Sequence, residues 1–88
     1  MHANVVVVKV EAGSADVAQK ALHEDVIPRV SKSPGFVAGY WLEPVDGKGA
    51  SLTLWESEDA AREAARAIQP PPMVSIESIE TREVIGQA

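Results

Sequence analysis

All four aromatic residues of this chain lie within one segment of 20 residues, which runs from Phe36 to Trp55 and includes Tyr40 and Trp41. Two runs of strand-forming residues make up the segment, and the Asp-Gly dipeptide at 46–47 between them is typical of a two-residue hairpin turn. Aromatic side chains bury large areas, so two paired strands that carry all of them form the centre of a core or a binding surface. The sequence therefore predicts an aromatic-rich β-hairpin around which the rest of the chain packs.

The segment before the hairpin predicts a strand and a helix. Residues 4–11 are a run rich in valine, which favours a strand. Apolar residues then recur at three- to five-residue steps between Ser14, a candidate N-cap, and Val30, which favours an amphipathic helix. Pro28 lies inside that helix and predicts a kink or an irregular last turn, because it lacks a backbone N–H and crowds the carbonyl of residue 24.

The segment after the hairpin predicts a second helix and a last strand. Ser57 is a candidate N-cap for an alanine-rich helix that ends before three consecutive prolines at 70–72. Residues 74–85 favour a long strand whose apolar positions change phase, which predicts a β-bulge or a bend. The order β-α-β-β-α-β predicts one ferredoxin-like α+β domain over residues 1–88, with a four-stranded antiparallel sheet and both helices on one face.

Both faces of the predicted sheet carry apolar side chains. In the first strand, Val5 and Val6 point to opposite faces. In the hairpin, strand alternation places Phe36 and Tyr40 on one face and Trp41 on the other. Two short helices cover only one side of such a sheet, and a large apolar patch on the other side is typical of an interface. We therefore expect a homodimer formed by sheet-to-sheet packing.

The composition excludes several classes of function. A net charge of −5, with only eight Lys and Arg, argues against nucleic acid, whose phosphates require a basic face. The chain has no cysteine, and His2 and His23 alone do not form a recognisable metal site. The N-terminal apolar run is too short for a signal peptide or a membrane span, so we expect a cytoplasmic protein without nucleic-acid or membrane partners.

Two sequence segments resemble those of a known family. Pro-Gly-Phe-Val at 34–37 leads into the Gly-Tyr-Trp of 39–41, and Leu-Trp-Glu-Ser-Glu-Asp-Ala-Ala at 54–61 joins a strand to a helix through an acidic N-terminal turn. Together with Asn4 in the first strand, these segments resemble the dimeric α+β-barrel superfamily and, within it, the antibiotic-biosynthesis-monooxygenase-like (ABM) domains.

The resemblance implies a homodimeric barrel in which each subunit keeps a cavity between its sheet and its helices. Some members are cofactor-free oxygenases of polycyclic aromatic compounds, and some relatives degrade heme. Asn4 and Trp55 match an asparagine and a tryptophan of the heme-degrading relatives. The histidine of those relatives at the end of the second helical region has no counterpart, since Gln69 is followed directly by prolines. Heme degradation is therefore not expected of this chain.

Five side chains are candidates for a functional site. By the resemblance, Asn4 is expected to hydrogen-bond a substrate oxygen and Trp55 to form a cavity wall. His23 is the natural general base by its intrinsic pKa. Tyr40 and Phe36 are candidates for substrate binding. Each aromatic residue has a structural alternative as a core side chain, and Asn4 has one as a polar residue at the start of a strand.

Charged residues of the first helix are expected at its solvated surface. Asp25 and Arg29 are four residues apart, which predicts a modest ion pair, although Pro28 between them disturbs the helical spacing. His23 lies beside the apolar stripe and not at its centre, so a solvated position is the alternative to its role as a base.

The sequence supports two functions. The first is a cofactor-independent, monooxygenase-like enzyme that holds a small aromatic or apolar molecule between sheet and helices and needs no metal. The second is a non-catalytic ligand-binding or interaction protein of the same fold, which the alanine-rich second helix and the lack of a convincing base favour. A regulatory domain of the ACT type fits the topology, but it does not account for the Trp-Glu-Ser-Glu segment at 55–58.

Overall fold

A computed structural model describes all residues from 1 to 88. The elements, in chain order, are β1 (His2–Val10), α1 (Ala15–Ala21), a π-helical turn (Leu22–Val26), α2 (Ile27–Ser31), β2 (Phe36–Trp41), β3 (Lys48–Trp55), α3 (Glu58–Arg66) and β4 (Val74–Glu83). The helix predicted before the hairpin is thus one continuous helical segment with a wider turn in its middle.

The four strands form one antiparallel sheet in the order β2-β3-β1-β4. This order, with the helices in the two crossovers, confirms the predicted ferredoxin-like α+β fold. The side chain of Asn4 in β1 donates a hydrogen bond to the carbonyl of Ala61 in α3. Because side chains alternate along a strand, that bond places Asn4, Val6, Val8 and Val10 on the face covered by the helices.

The hairpin turn between β2 and β3 follows from its two central residues. Asp46 and Gly47 have φ angles of 53° and 77°, as a two-residue turn of type I′ requires. Val45 and Lys48 exchange backbone hydrogen bonds of 2.9 and 3.0 Å across the turn. The Asp-Gly signal in the sequence therefore predicted both the position and the geometry of this turn.

A bulge in β2 changes the orientation of its first aromatic residue. Phe36 pairs with Trp55, but Ala38 pairs with the adjacent Leu54, so one additional residue is accommodated in β2. Phe36 consequently lies on the helix face, where its ring meets Trp55 edge to face at 5.5 Å, and Tyr40 lies opposite Leu52 on the outer face. The prediction that Phe36 and Tyr40 share a face was wrong, because the additional residue of a bulge interrupts the alternation of side chains between the two faces of the sheet.

A second bulge, in β4, was predicted and is confirmed. Val7 pairs with Ser78 and Val8 pairs with Ile76, which leaves Glu77 without a partner in the register. The additional residue keeps Ile76 on the same face as Ile79, and both sit opposite valines of β1 that face the helices.

The helical segment before the hairpin accommodates Pro28 through its π-helical turn. The N–H of Ile27 donates to the carbonyl of Leu22, five residues earlier. Pro28 cannot donate to the carbonyl of Glu24, and the wider turn removes the need for that bond. The irregularity expected from Pro28 thus lies before the proline and not in the last turn, because the helix continues regularly after the proline to Ser31.

None of the helices has the length and hydrophobicity that a membrane span requires.

Gly35 joins the turn before β2 to the start of α3. Its φ angle is +82°, and a Cβ at this position would lie 2.6 Å from the Cβ of Ala60. Its carbonyl accepts a hydrogen bond of 2.8 Å from the N–H of Glu56. Gly13 has nearly the same φ angle, +81°, but a Cβ there would meet nothing within 4 Å.

We expect Gly35→Ala to destabilise the protein considerably more than Gly13→Ala. Both changes place a side chain on a residue in the left-handed conformation, which lowers the free energy of unfolding by about 1–2 kcal/mol. Only Gly35→Ala adds a steric overlap, which lowers it by about 1–3 kcal/mol more. Urea denaturation of the two variants measures the difference. Equal losses of unfolding free energy would contradict the close approach of Gly35 and Ala60.

Candidate functional site

A cavity of about 880 Å³ lies between the sheet and the helices. Its walls are mostly apolar, and they come from the sheet, the helical segment before the hairpin, and the end of α3 with the residues that follow it. The apolar residues include Val6, Val8, Val10, Leu22, Val26, Ile27, Val30, Ala64, Ala67 and Ile68. The volume is in the range of ordinary small-molecule sites.

Asn4 lines this cavity and is only 1% exposed. Its Nδ2 donates to the carbonyl of Ala61 at 2.8 Å, and its Oδ1 accepts from the hydroxyl of Thr81 at 2.7 Å. A carbonyl only accepts, so the contact with Ala61 fixes which end of the amide is the nitrogen. The second N–H of Asn4 has no partner within the protein, which leaves one donor for a ligand.

Trp55 lines the same cavity and is also only 1% exposed. Its indole N–H donates to Thr53 Oγ1 at 2.9 Å, and the edge contact with Phe36 packs against its ring. Thr53 lies directly opposite Asn4 in the pairing of β1 and β3. The indole donor is therefore already used, and Trp55 offers a ligand an apolar, rigidly held surface.

The other three candidate residues lie in different positions relative to the cavity wall formed by Asn4 and Trp55. His23, in the π-helical turn, borders the cavity and is exposed to solvent. Tyr40 also borders the cavity, but it is 57% exposed and its strand register places it on the outer face. Phe36 does not line the cavity and instead supports Trp55 from the side. Asn4, Trp55 and His23 are thus brought to one cavity, and Phe36 is not.

The spacing of Asp25 and Arg29 predicts only a surface ion pair, but the structure also places Arg29 on the cavity wall. Its Nη2 donates to Asp25 Oδ2 and to the carbonyl of Gln69, both at 3.3 Å. Its Nε is shielded from solvent and has no hydrogen-bond acceptor. The four-residue spacing identified the ion pair, but no sequence signal showed that the π-helical turn would direct this part of the helix towards the cavity.

The clearest electrostatic perturbation lies outside the cavity. Two hydrogen bonds from the guanidinium of Arg62, together with its charge, hold the pKa of the exposed Glu58 carboxyl below its usual value. This pair stabilises the first turns of α3, where Ser57 also accepts a hydrogen bond from the N–H of Ala60. No group of three or more His, Cys, Asp or Glu side chains is placed to hold a metal ion.

Comparison with known proteins gives matches at the level of structure. Neither a protein-family model nor a curated protein sequence matches this chain. The heme-degrader MhuD from Mycobacterium tuberculosis, solved with two hemes bound in its active site, is 23% identical, with a TM-score of 0.79 over 100% of this chain and 99% of that chain. A mutant of MhuD with two manganese protoporphyrin IX bound per active site is 26% identical, with a TM-score of 0.75 over 100% of this chain and 98% of that chain.

We expect Thr81→Val to lower the free energy of unfolding by about 1–3 kcal/mol, because it leaves the buried Oδ1 of Asn4 without a donor. Thr81→Ser keeps the hydroxyl and should retain most of that stability. Urea denaturation of both variants tests the contact. A Thr81→Val variant as stable as the wild-type protein would contradict the contribution of this hydrogen bond.

Proposed function

We propose, starting from the ferredoxin-like α+β fold that this chain shares with the MhuD structures, that the protein binds a small aromatic molecule in its cavity and oxidises it without a cofactor. The observation that carries the proposal is the joint presence of Asn4 and Trp55, both almost fully buried, on the wall of one largely apolar cavity. A cavity of this size and polarity is suited to a ligand of several fused rings.

Such a reaction requires little from the protein, because an electron-rich substrate supplies the electrons. Loss of a proton from a ring CH₂ gives a carbanion that combines with O₂ to a peroxide anion. Return of the proton gives the hydroperoxide, and loss of water from it leaves a ketone. One CH₂ and one O₂ thus give one C=O and one water. The protein has to accept the first proton, hold the substrate oxygen on which negative charge develops, and keep bulk water away.

Three side chains can divide these roles. The unpaired N–H of Asn4 donates to the substrate oxygen, and its fixed orientation means that little reorganisation is needed when charge develops. Trp55 provides the flat apolar wall against which a ring system packs. His23 borders the cavity from the helical side and is the proposed proton acceptor.

The residues at the end of α3 do not fit a heme iron. The cavity wall there consists of Ala67, Ile68, Gln69, Pro70 and Pro71, which offer no imidazole, thiolate or phenolate to the metal. His23, the only imidazole on the cavity wall, comes from the π-helical turn before the hairpin and is exposed. The proposed reaction therefore includes no step through heme, although the two MhuD structures contain porphyrins.

A second candidate function is ligand binding without catalysis. The buried polar groups of the site are largely used within the protein, since Trp55 donates to Thr53 and Asn4 contacts both Ala61 and Thr81. This arrangement suits a rigid binding site as well as an active site. The two functions differ in whether oxygen is consumed once a ligand is bound.

We expect oxygen uptake with anthrone as substrate, and a rate about 100-fold lower in Asn4→Ala, since removal of one positioned donor has costs of this order. Trp55→Phe should lower the rate less, because it keeps an aromatic wall of smaller area. An oxygen electrode measures both rates, and thermal unfolding shows whether each variant remains folded. Val17→Glu, at an exposed position of α1, is the matched control and should be unchanged.

Unchanged uptake in both site variants would refute the assigned roles. A wild-type protein that binds anthrone but consumes no oxygen would favour the non-catalytic function.

We also propose that two copies pack through the sheet faces that the helices leave uncovered. Tyr40 and Leu52 are paired across β2 and β3 on that face and are 57% and 38% exposed. Val37, in the same part of β2, is 44% exposed. An apolar face of this kind on a small sheet is suited to a symmetric contact with an identical surface.

We expect light scattering coupled to size-exclusion chromatography to give a dimer at micromolar concentration. Leu52→Glu should shift the protein to a monomer, because it places an unpaired charge in the apolar interface. Val17→Glu adds the same charge on α1 and should remain dimeric. A monomeric wild-type protein would refute the proposal.

A further inference from the structure

We propose that Arg29 binds a carboxylate of the ligand, so that the cavity selects an aromatic acid over a neutral aromatic compound of the same shape. The inference rests on the proposed function, because it concerns the same cavity. It adds the chemical class of the ligand, which neither Asn4 nor Trp55 specifies.

Arg29 differs from the other arginines in how well it is paired. Arg62, Arg66 and Arg82 each contact a glutamate carboxylate on their own helix or strand, at 2.8, 3.1 and 2.9 Å respectively. Arg29 reaches its carboxylate only at 3.3 Å. Charge-assisted hydrogen bonds of good geometry are shorter than this, so Arg29 is the arginine whose donors are least well used.

Arg29 is also the arginine that lines the cavity. Apart from Arg29, the only Asp, Glu, Lys or Arg on the wall is Glu43, in the connection that follows β2. An arginine does not lose its proton at physiological pH, so its charge persists when the surrounding wall is apolar.

The hydrogen bonds of Arg29 leave donors for a ligand. Nη2 contacts Asp25 and the carbonyl of Gln69, Nε is shielded from solvent without an acceptor, and Nη1 makes no hydrogen bond. Because Nε is shielded, Nη1 is the donor that a ligand oxygen reaches directly. The side chains of Arg29 and Asp25 are 38% and 70% exposed, and an ion pair this open is weak enough for a ligand carboxylate to displace it.

The competing explanation is that Arg29 only links two parts of the fold. Its bond to the carbonyl of Gln69 joins α2 to the segment that follows α3. A purely structural arginine would affect neutral and charged ligands alike, and removal of Asp25 would not improve binding. These consequences separate the two explanations experimentally.

The experiment compares two probes of the same ring system, 9-anthracenecarboxylate and 9-anthracenecarboxamide, by isothermal titration calorimetry at neutral pH. The wild-type protein should bind the carboxylate more tightly. Arg29→Gln should weaken carboxylate binding by about tenfold or more, as expected for a lost hydrogen bond to a charged group, and leave carboxamide binding unchanged. Arg66→Gln removes the same charge from α3 outside the cavity and is the matched control for net charge.

A second variant tests the proposal in the opposite direction. Asp25→Asn removes the carboxylate that competes for Arg29, and it should strengthen carboxylate binding without strengthening carboxamide binding. Asp16→Asn, on the exposed first turn of α1, makes the same change in net charge and should have no such effect. Because this test keeps Arg29, it holds even if Arg29→Gln fails to fold.

Four outcomes would overturn the inference. Equal affinity of the wild-type protein for the two probes refutes it and leaves the proposed aromatic site intact. Equal weakening of both probes by Arg29→Gln, or no gain in Asp25→Asn, assigns Arg29 a structural role. Failure of the wild-type protein to bind either probe refutes the proposed site itself and this inference with it.

Discussion

The hydrogen bond from the side chain of Asn4 to the carbonyl of Ala61 joins the middle of the sheet to α3, and the geometry of the site depends on it. The bond requires the helix backbone to approach the sheet closely. Ala61 permits this because it is fully buried and has only a methyl group, and the contact of Gly35 with Ala60 brings the same turn of α3 against the start of β2. The start of α3 is thus fixed to the sheet, whereas Ala64 and Ala67 further along the helix line the cavity.

Three local irregularities then decide which side chains reach this cavity. The bulge in β2 turns Phe36 against Trp55, and the bulge in β4 keeps Ile76 on the helix face. The π-helical turn brings both His23 and Arg29 to the cavity wall while it accommodates Pro28. Bulges and π-helical turns are frequent near functional sites because they redirect side chains without altering the rest of the fold.

The order of elements could be predicted from the sequence because it depends on local signals. The Asp-Gly turn, the N-cap at Ser57 and the phase change in the last strand all act within a few residues. The orientation of Phe36 could not be predicted, since residues 36–38 around the bulge of β2 are all apolar and show no change of phase. The hydroxyl that orients Asn4 belongs to Thr81, 77 residues away in sequence, and no local pattern identifies such a partner.

The polar groups of the cavity differ in how firmly they are held, and this difference fits the division of roles proposed for them. Trp55 is fixed through Thr53, and Asn4 is fixed through Ala61 and Thr81, by bonds of 2.7 to 2.9 Å. A donor held in this way binds without loss of side-chain freedom, which suits the recognition of a reacting oxygen. Arg29 is held by two contacts of 3.3 Å and can exchange one of them for a ligand. Trp55 and Asn4 would thus hold the ring rigidly, while Arg29 would adjust to the carboxylate. One cavity could then accept acids of different length and keep the reacting carbon in place.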